Sequence, residues 1–318
     1  LQSRGLGDVY KRQEEVIVGS TSMGNILTKQ FYRQRKDFED SCAGRDAGLT
    51  FPEGVRCSTD IAYADDGIKA HLLDIYRPED SQEKVLPVII NVHGGGLIIG
   101  NKEFNRYFCA LLCKKGFLVY SIEYRLIPDC LIYDQISDVF IAMDYIKERL
   151  VADGGDSSHV YMAGDSGGAC LITYANAIQN NTNIARAANV TPSGLRINAL
   201  GLISGMFYTS RFDKIGLFLP KYLYGRDYKK NAFAKYVNPE NRELLNSLAP
   251  VWLVTSHNDF LRRYTTDFEK ALTRAEREHE LVIFPKNKKL THAFSVFEPF
   301  LPESGAVIDM MVEYLRKF

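Results

Sequence analysis

Dense apolar runs recur along this chain, and windows with helical periodicity lie between most of them. The runs are rich in β-branched and aromatic residues, as in 85–92 (VLPVIINV) and 117–124 (FLVYSIEY). Such runs are typical of strands covered on both faces. Because alternation of strand and helix places helices on both sides of a mostly parallel sheet, the pattern predicts an α/β fold. An alternating stretch at 55–77 with a turn at Asp65-Asp66-Gly67 precedes them and predicts a β-hairpin. The further expected strands are 160–163, 195–203, 250–255 and 280–284, and the expected helices are 135–150, 167–179, 264–278 and 304–318.

Composition excludes several classes of protein. Apolar residues make up 46% of the 318 residues and charged residues 25%, which is ordinary for a globular chain. The 39 Lys and Arg residues balance 39 Asp and Glu residues, so the basic field that a nucleic-acid or acidic-membrane partner needs is absent. The apolar runs are far shorter than the roughly 20 residues of a membrane-spanning helix. Neither a P-loop, a dinucleotide fingerprint nor a metal-ligand cluster is present, so the sequence implies no cofactor.

The cysteines and the first residues need separate interpretation. The six cysteines form no CxxC pair, which favours a reduced, partly buried set over a zinc site or a disulfide framework. Residues 1–13 have no initiator Met, apolar segment or amphipathic period, and we interpret them as a non-native leader. No signal-peptide pattern is seen, so the expected location is cytoplasmic.

Gly164-Asp165-Ser166-Gly167-Gly168 is the candidate nucleophile motif. It follows the predicted strand 160–163 and precedes a helical window, as in a strand-to-helix elbow that presents a serine hydroxyl. Small residues are needed two positions before and after the serine, because side chains there would collide across the tight turn. The alternative is an inert serine in a glycine-rich turn. A chymotrypsin-like protease is excluded, because those proteins are all-β and place the serine after the His and the Asp.

A second glycine-rich motif, His93-Gly94-Gly95-Gly96, ends the predicted strand 85–92. Three consecutive glycines let backbone N–H groups turn towards one point. Attack on an ester carbonyl places negative charge on its oxygen, and preorganised N–H donors stabilise that charge by about 3 kcal/mol. The motif therefore predicts an oxyanion hole upstream of the serine, with a flexible glycine loop as the alternative.

At these residues the chain resembles the hormone-sensitive-lipase-like family of α/β-hydrolases, which includes many bacterial carboxylesterases. The shared motifs occur in the family's order: HGGG at 93–96, YRL at 124–126 followed by Pro128, GDSGG at 164–168, DFLR at 259–262 and HAF at 292–294. The resemblance implies an α/β-hydrolase fold with a helical cap. It also implies oxyanion donors at Gly95, Gly96 and Gly167, with His93 and Gly94 as a supporting motif.

Five positions depart from the family pattern. Three concern pocket lining and local packing: Leu97 replaces an aromatic residue, Gly167 an Ala, and Ala293 a Gly. The other two flank the candidate acid, where Phe260 replaces a Pro and Arg263 stands where a second acid is common.

In an α/β-hydrolase the nucleophile is followed along the chain by the acid and then by the histidine. Asp259 follows the expected strand 250–255, and His292 lies in a loop after the expected strand 280–284. Both should lie at the sheet edge where ligands collect in open α/β sheets. We therefore expect Ser166, Asp259 and His292 to form a catalytic triad, with Asp267 as the alternative acid. The other histidines are less suitable: His71 and His159 precede the serine, His257 is too close to Asp259, and His279 lies in a predicted helical stretch.

The chain is expected to divide into a core and a two-part cap. The segments are a leader at 1–13, an N-terminal cap segment at 14–54, core residues 55–205, a cap insertion at 206–246 and core residues 247–318. The basic residues of the insertion are interpreted as a solvated face: Lys221, Arg226, Lys229 and Lys230.

These patterns predict a serine carboxylesterase that hydrolyses short- to medium-chain acyl esters, including acetyl esters, through an acyl-enzyme. The expected partner is a small-molecule ester. Two alternatives stay open: an amidase or peptidase that uses the same triad, and a non-catalytic small-molecule receptor on the same scaffold. Plant gibberellin receptors resemble the family but lack the histidine, whereas His292 is present here.

Overall fold

The chain folds around one eight-stranded sheet with the strand order β1-β2-β4-β3-β5-β6-β7-β8. A computed structural model describes residues 22–81 and 84–318. The first two strands form an antiparallel hairpin, β2 pairs antiparallel with β4, and the remaining neighbours are parallel. The strands are β1 (Val55–Ala62), β2 (Leu72–Pro78), β3 (Leu86–Val92), β4 (Leu118–Ile122), β5 (Gly155–Asp165), β6 (Leu200–Ile203), β7 (Val251–Ser256) and β8 (His279–Phe284).

Helices lie between the parallel strands and at both ends of the described chain. The hairpin, the parallel strands and the four long helices expected from sequence are confirmed. The α-helices are α1 (Ser22–Asp46), α2 (Arg106–Lys114), α3 (Ile132–Arg149), α4 (Ser166–Asn180), α5 (Thr182–Ala188), α6 (Lys214–Phe218), α7 (Pro220–Tyr224), α8 (Arg242–Asn246), α9 (Arg262–Arg274), α10 (Phe294–Phe297) and α11 (Pro302–Leu315).

Three local expectations were wrong or incomplete. The helices α2 and α5 were not predicted. The expected strand 195–203 is paired as a strand only from Leu200, which lies opposite Val251 at the start of β7. His279 begins strand β8 rather than lying in a helix.

Alternate residues of the central strands pack into two separate layers of core. In β3, Val88, Ile90 and Val92 belong to one apolar cluster, whereas Ile89 belongs to the other. Side chains of a strand point to opposite faces in turn, so a strand buried on both faces is apolar at almost every position. Helices α3, α4 and α9 cover the first face, and α2 and α11 cover the second. The sheet is thus a rigid base for the loops at its edge.

The long helix α1 is attached to the core at two arginines. Arg35 donates to the backbone oxygens of Ile98 and Ile127 at 2.8 and 2.6 Å, and it pairs with Asp129 at 2.7 Å. Arg45 donates to the backbone oxygen of Phe104 at 2.9 Å. Residues 206–246 form the short helices α6, α7 and α8 with 3₁₀ turns between them. The proposed leader at 1–13 lies outside the described residues. Among the helices that the structure describes, none is both long and apolar enough to cross a membrane.

Candidate active site

Ser166 lies at a sharp turn between the end of β5 and the start of α4. Its φ of 50° is in the left-handed region, which an L-residue adopts at a cost of about 1–3 kcal/mol. Neither glycine two positions away has room for a side chain. A Cβ at Gly168 would lie 2.2 Å from the carbonyl oxygen of Val92, and one at Gly164 would lie 2.9 Å from the backbone of Gly168. Both positions therefore require a small residue, as the sequence predicts, because backbone atoms occupy the space that a side chain would need. The turn places the Ser166 hydroxyl at the positive end of the α4 dipole.

A chain of hydrogen bonds joins Ser166, His292 and Asp259. The Ser166 hydroxyl donates to Nε2 of His292 at 2.9 Å, and Nδ1–H of His292 donates to Oδ1 of Asp259 at 2.7 Å. The Asp259 carboxylate also accepts from the backbone N–H of Leu261 and the hydroxyl of Thr255, each at 2.8 Å. Burial by itself would raise the pKa of Asp259, but its hydrogen bond and charge interaction with His292 hold that pKa below the usual 3.8. The carboxylate is therefore ionised beside the imidazole.

The alternative acid and the remaining histidines have other partners. Asp267 pairs with Arg211 at 2.9 Å on the side of α9. His257 contacts Arg262 at 2.9 Å. Three more contact acidic or backbone groups, His71 with Asp66 and Asp138, His159 with Asp156, and His279 with Arg277, and the sixth, His93, lies in the glycine motif. The structure thus brings His292 to Asp259 and Ser166 and places Asp267 elsewhere.

The glycine loop after β3 lies directly against the turn that holds Ser166. Gly95 has a φ of 108°, and its carbonyl oxygen accepts from the backbone N–H groups of Ile98 and Ile99 at 3.1 and 3.0 Å. A Cβ added to Gly95 would lie 1.9 Å from the carbonyl oxygen of Ile99. A Cβ added to Gly167 would lie 3.0 Å from the backbone nitrogen of Gly96. The three backbone groups expected to form an oxyanion hole are therefore neighbours.

Buried polar side chains hold this glycine loop from behind. Asp165 accepts from the backbone N–H of Gly94 at 3.0 Å and from Nδ2 of Asn105 at 2.9 Å. His93 donates to the carbonyl oxygen of Gly94 at 2.8 Å and contacts Glu123 at 2.7 Å. Burial by itself would lower the pKa of His93, but the charge and hydrogen bond of Glu123 raise it above 6.5. Both ring nitrogens thus face acceptors. Sequence reasoning missed Asn105 and Glu123, although Glu123 stands directly before the YRL motif.

Ser166 and His292 open into a cavity of about 500 Å³ with a largely apolar wall. Among the described residues that line it, the only ionisable side chains are His292 and Asp165. The four basic side chains interpreted as a solvated face of the insertion are exposed and do not line the cavity, in agreement with that expectation. The apolar wall is formed by Phe31, Phe38, Ile98, Ile99, Phe104, Met206, Ile215, Leu219, Phe260, Leu261 and Phe297.

A mostly parallel sheet with a serine at a strand-to-helix turn, followed along the chain by an acid and a histidine, defines the α/β-hydrolase class. A family model described as alpha/beta hydrolase fold matches residues 89–295 of this chain. The chain belongs to that family, among its hormone-sensitive-lipase-like members. The fold class expected from sequence is confirmed.

Curated relatives match the chain only over part of their length. The probable isoprenylcysteine alpha-carbonyl methylesterase of Oryza sativa subsp. japonica is 30% identical over 184 residues, which cover 54% of this chain and 44% of that protein. Tuliposide A-converting enzyme b1, amyloplastic, of Tulipa gesneriana is 30% identical over 113 residues, covering 31% of this chain and 30% of that enzyme. The chain therefore matches less than half the length of these relatives.

Solved structures match almost the whole chain. Esterase B from Lactobacillus Rhamnosis superposes with a TM-score of 0.86 at 22% identity, covering 92% of this chain and 95% of that chain. A bacterial heroin esterase superposes with a TM-score of 0.68 at 22% identity, covering 91% and 92%. At this identity the similarity shows the shared fold.

Proposed function

We propose that this chain is a serine carboxylesterase that hydrolyses short- to medium-chain acyl esters through an acyl-enzyme. The observation that carries the proposal is the hydrogen-bonded chain from the Ser166 hydroxyl through His292 to the buried Asp259, open to an apolar cavity. A nucleophile beside a base that is itself oriented by a third group is the usual arrangement of an activated serine.

Acylation begins when the Ser166 oxygen attacks the ester carbonyl carbon and its proton passes to Nε2 of His292. The charge that develops on the carbonyl oxygen is stabilised by the N–H groups of Gly95, Gly96 and Gly167. The bond from the carbonyl carbon to the alcohol oxygen then breaks, and His292 returns the proton to that oxygen. Asp259 fixes the ring tautomer and stabilises the transient imidazolium.

Deacylation repeats these steps with water. A water molecule attacks the acyl carbon while His292 accepts its proton. The bond to the Ser166 oxygen then breaks and the serine recovers a proton from His292. The carboxylic acid leaves, and the enzyme returns to its starting state.

The chemistry of the cavity supports an uncharged substrate. A volume of about 500 Å³ lies in the ordinary range for small-molecule sites. Among the described residues that line the cavity there is no Lys or Arg, and the ionisable side chains are His292 and Asp165, which accepts from Gly94 and Asn105. The names of the relatives, a methylesterase, an esterase B and a heroin esterase, agree with ester hydrolysis. We include in this proposal the division into a core and a cap of 14–54 and 206–246, and a cytoplasmic location.

The test is a series of p-nitrophenyl esters of increasing acyl length, assayed with the native chain and with Ser166→Ala. We expect turnover to be greatest for short and medium acyl chains and to fall by at least about 10⁴-fold in the variant. Retained turnover in Ser166→Ala would rule out the serine mechanism. The matching p-nitroanilides, assayed in parallel, separate esterase from amidase: faster amide than ester turnover would favour the amidase.

A further inference from the structure

Phe260 is a large apolar side chain left open to solvent beside the candidate base. Its side chain is 73% exposed, and its ring centroid lies 4.4 Å from that of His292. It also lines the cavity that Ser166 faces. The family pattern has Pro at this position, so the aromatic ring is a departure from that pattern.

The turn that holds Asp259 also fixes the position of Phe260. Oδ1 of Asp259 accepts from the backbone N–H of Leu261, the residue after Phe260, and from Nδ1–H of His292. The backbone N–H of Arg262 donates to the carbonyl oxygen of Asp259 at 3.1 Å and closes the turn. The turn thus places the backbone of Phe260 beside the imidazole, and the ring is inclined to the imidazole by 44°.

The direction of proton transfer indicates which part of the substrate contacts the ring of Phe260. In the proposed reaction His292 must protonate the leaving alcohol oxygen, and a general acid acts within hydrogen-bond distance of that oxygen. The group attached to the oxygen therefore leaves the reaction centre past the imidazole. Phe260 lies against that imidazole and has most of its surface free. Ile215 and Leu219 from the 206–246 insertion line the same cavity and add apolar surface.

On the basis of the proposed function, we propose that Phe260 determines specificity for the alcohol part of the ester. Its exposed ring favours alcohols with an apolar, flat substituent, because burial of apolar surface and ring-to-ring contact both stabilise such a group. Its contact with the leaving group affects acylation, whereas hydrolysis of the acyl-enzyme does not involve the alcohol.

The test compares two acetate esters with the same acyl group, benzyl acetate and ethyl acetate. We expect Phe260→Ala to lower the kcat/KM ratio of benzyl acetate to ethyl acetate by about tenfold, with little change for ethyl acetate. Phe260→Leu keeps apolar volume without a flat ring, so it should give an intermediate ratio. Phe212→Ala is the matched control, because Phe212 is 92% exposed and does not line the cavity; it should leave the ratio unchanged.

An unchanged ratio in Phe260→Ala would overturn the proposal. An equal loss for both esters would also overturn it, since that is the result expected if the ring only shields His292. A second measurement uses the acetyl-enzyme that both esters share. With benzyl alcohol and ethanol competing with water for this intermediate, Phe260→Ala should reduce benzyl acetate formation relative to ethyl acetate formation by a similar factor.

Failure of this proposal is distinguishable from failure of the proposed function. If Ser166→Ala retains activity, the serine mechanism itself is wrong. If Ser166→Ala is inactive and the alcohol ratio of Phe260→Ala equals that of the native chain, the mechanism stands and the role of Phe260 is wrong. Since Phe260 is largely exposed, its variants should unfold at the same temperature as the native chain. If Phe260→Ala does not fold, the ratio measured with folded Phe260→Leu tests the proposal instead, and a native ratio in that variant would overturn it.

Discussion

Replacing Asp259 by Asn removes the charge that faces His292 and preserves the shape of the side chain. Oδ1 of Asp259 accepts from Nδ1–H of His292 at 2.7 Å and from the N–H of Leu261 at 2.8 Å, and Oδ2 accepts from the hydroxyl of Thr255. An Asn with its carbonyl oxygen in the Oδ1 position keeps the first two bonds. Its amide can donate to the Thr255 oxygen, because a hydroxyl both donates and accepts. The variant therefore isolates the effect of the negative charge.

That charge acts when His292 becomes an imidazolium. Two unit charges about 4 Å apart at an effective dielectric constant of about 20 attract each other by about 4 kcal/mol. Every 1.36 kcal/mol corresponds to roughly a factor of ten in rate, so the expected loss is about 10³-fold. The dipole of the Asn carbonyl recovers part of this energy, which sets the expected range at about 10² to 10³.

The assay is kcat/KM for ethyl acetate and p-nitrophenyl acetate with the native chain, Asp259→Asn and Asp267→Asn. Asp267 is the matched control, since it pairs with Arg211 and does not contact His292. We expect Asp267→Asn to stay within about threefold of the native chain. Thermal unfolding of each variant checks that it is folded. A loss of less than tenfold in folded Asp259→Asn, or an equal loss in Asp267→Asn, would refute the assignment of the acid.

Three further predictions concern the surroundings of the site. The side chains of Lys102 and Asp74 are both 2% exposed, and Nζ of Lys102 lies 2.9 Å from Oδ1 of Asp74. Lys102→Met should leave the buried Asp74 carboxylate without this cation and lower the unfolding free energy in urea by about 3–5 kcal/mol. An unchanged unfolding free energy would contradict this. Burial by itself would lower the pKa of His71, but Asp138 raises that pKa above 6.5. The contribution of protonated His71 to the free energy of unfolding is therefore complete below about pH 6.5 and is lost as the pH rises through the raised pKa. The difference in unfolding free energy between the native chain and His71→Asn should therefore be larger at about pH 6 than at about pH 9, and the opposite trend would contradict the sign. In Gly95→Ala the added methyl group would lie 1.9 Å from the backbone oxygen of Ile99, so the glycine loop must shift. Because the shift would displace N–H groups that stabilise the oxyanion, kcat should fall by about 10²-fold or more. A native kcat would exclude this loop from the oxyanion hole.

The parallel sheet is predictable from sequence because its strands are covered on both faces. In β3 neighbouring residues such as Val88 and Ile89 pack into different core clusters, so every position except Asn91 is apolar and the run is conspicuous. The limits of β6 are less predictable. Leu195 and Ile197 are buried without strand pairing, and the paired residues begin at Leu200, opposite Val251 at the start of β7. Apolar pattern therefore locates burial more reliably than strand limits.

For the candidate site, sequence order predicts which residues meet, but the residues that support them carry no local signal. The order Ser166, Asp259, His292 follows from the motifs, and the three side chains are in contact. Asn105 has no motif of its own, and it reaches Asp165 across 60 positions of the chain. Only the fold brings these two residues together, since the loop containing Asn105 follows β3 and Asp165 ends β5, which pairs with β3.

The segment proposed as the N-terminal part of a cap shows why the cavity wall is harder to predict than the candidate triad. Arg35 of α1 donates to the backbone of Ile98, 63 positions away, just after the glycines proposed to form the oxyanion hole. The same helix supplies Phe31 and Phe38 to the cavity wall. Arg35 thus connects the helix that carries these two rings to the segment directly after the glycine loop. The cavity wall and the proposed oxyanion loop are thus joined by a contact between distant parts of the chain, and no local pattern in the sequence reveals that contact.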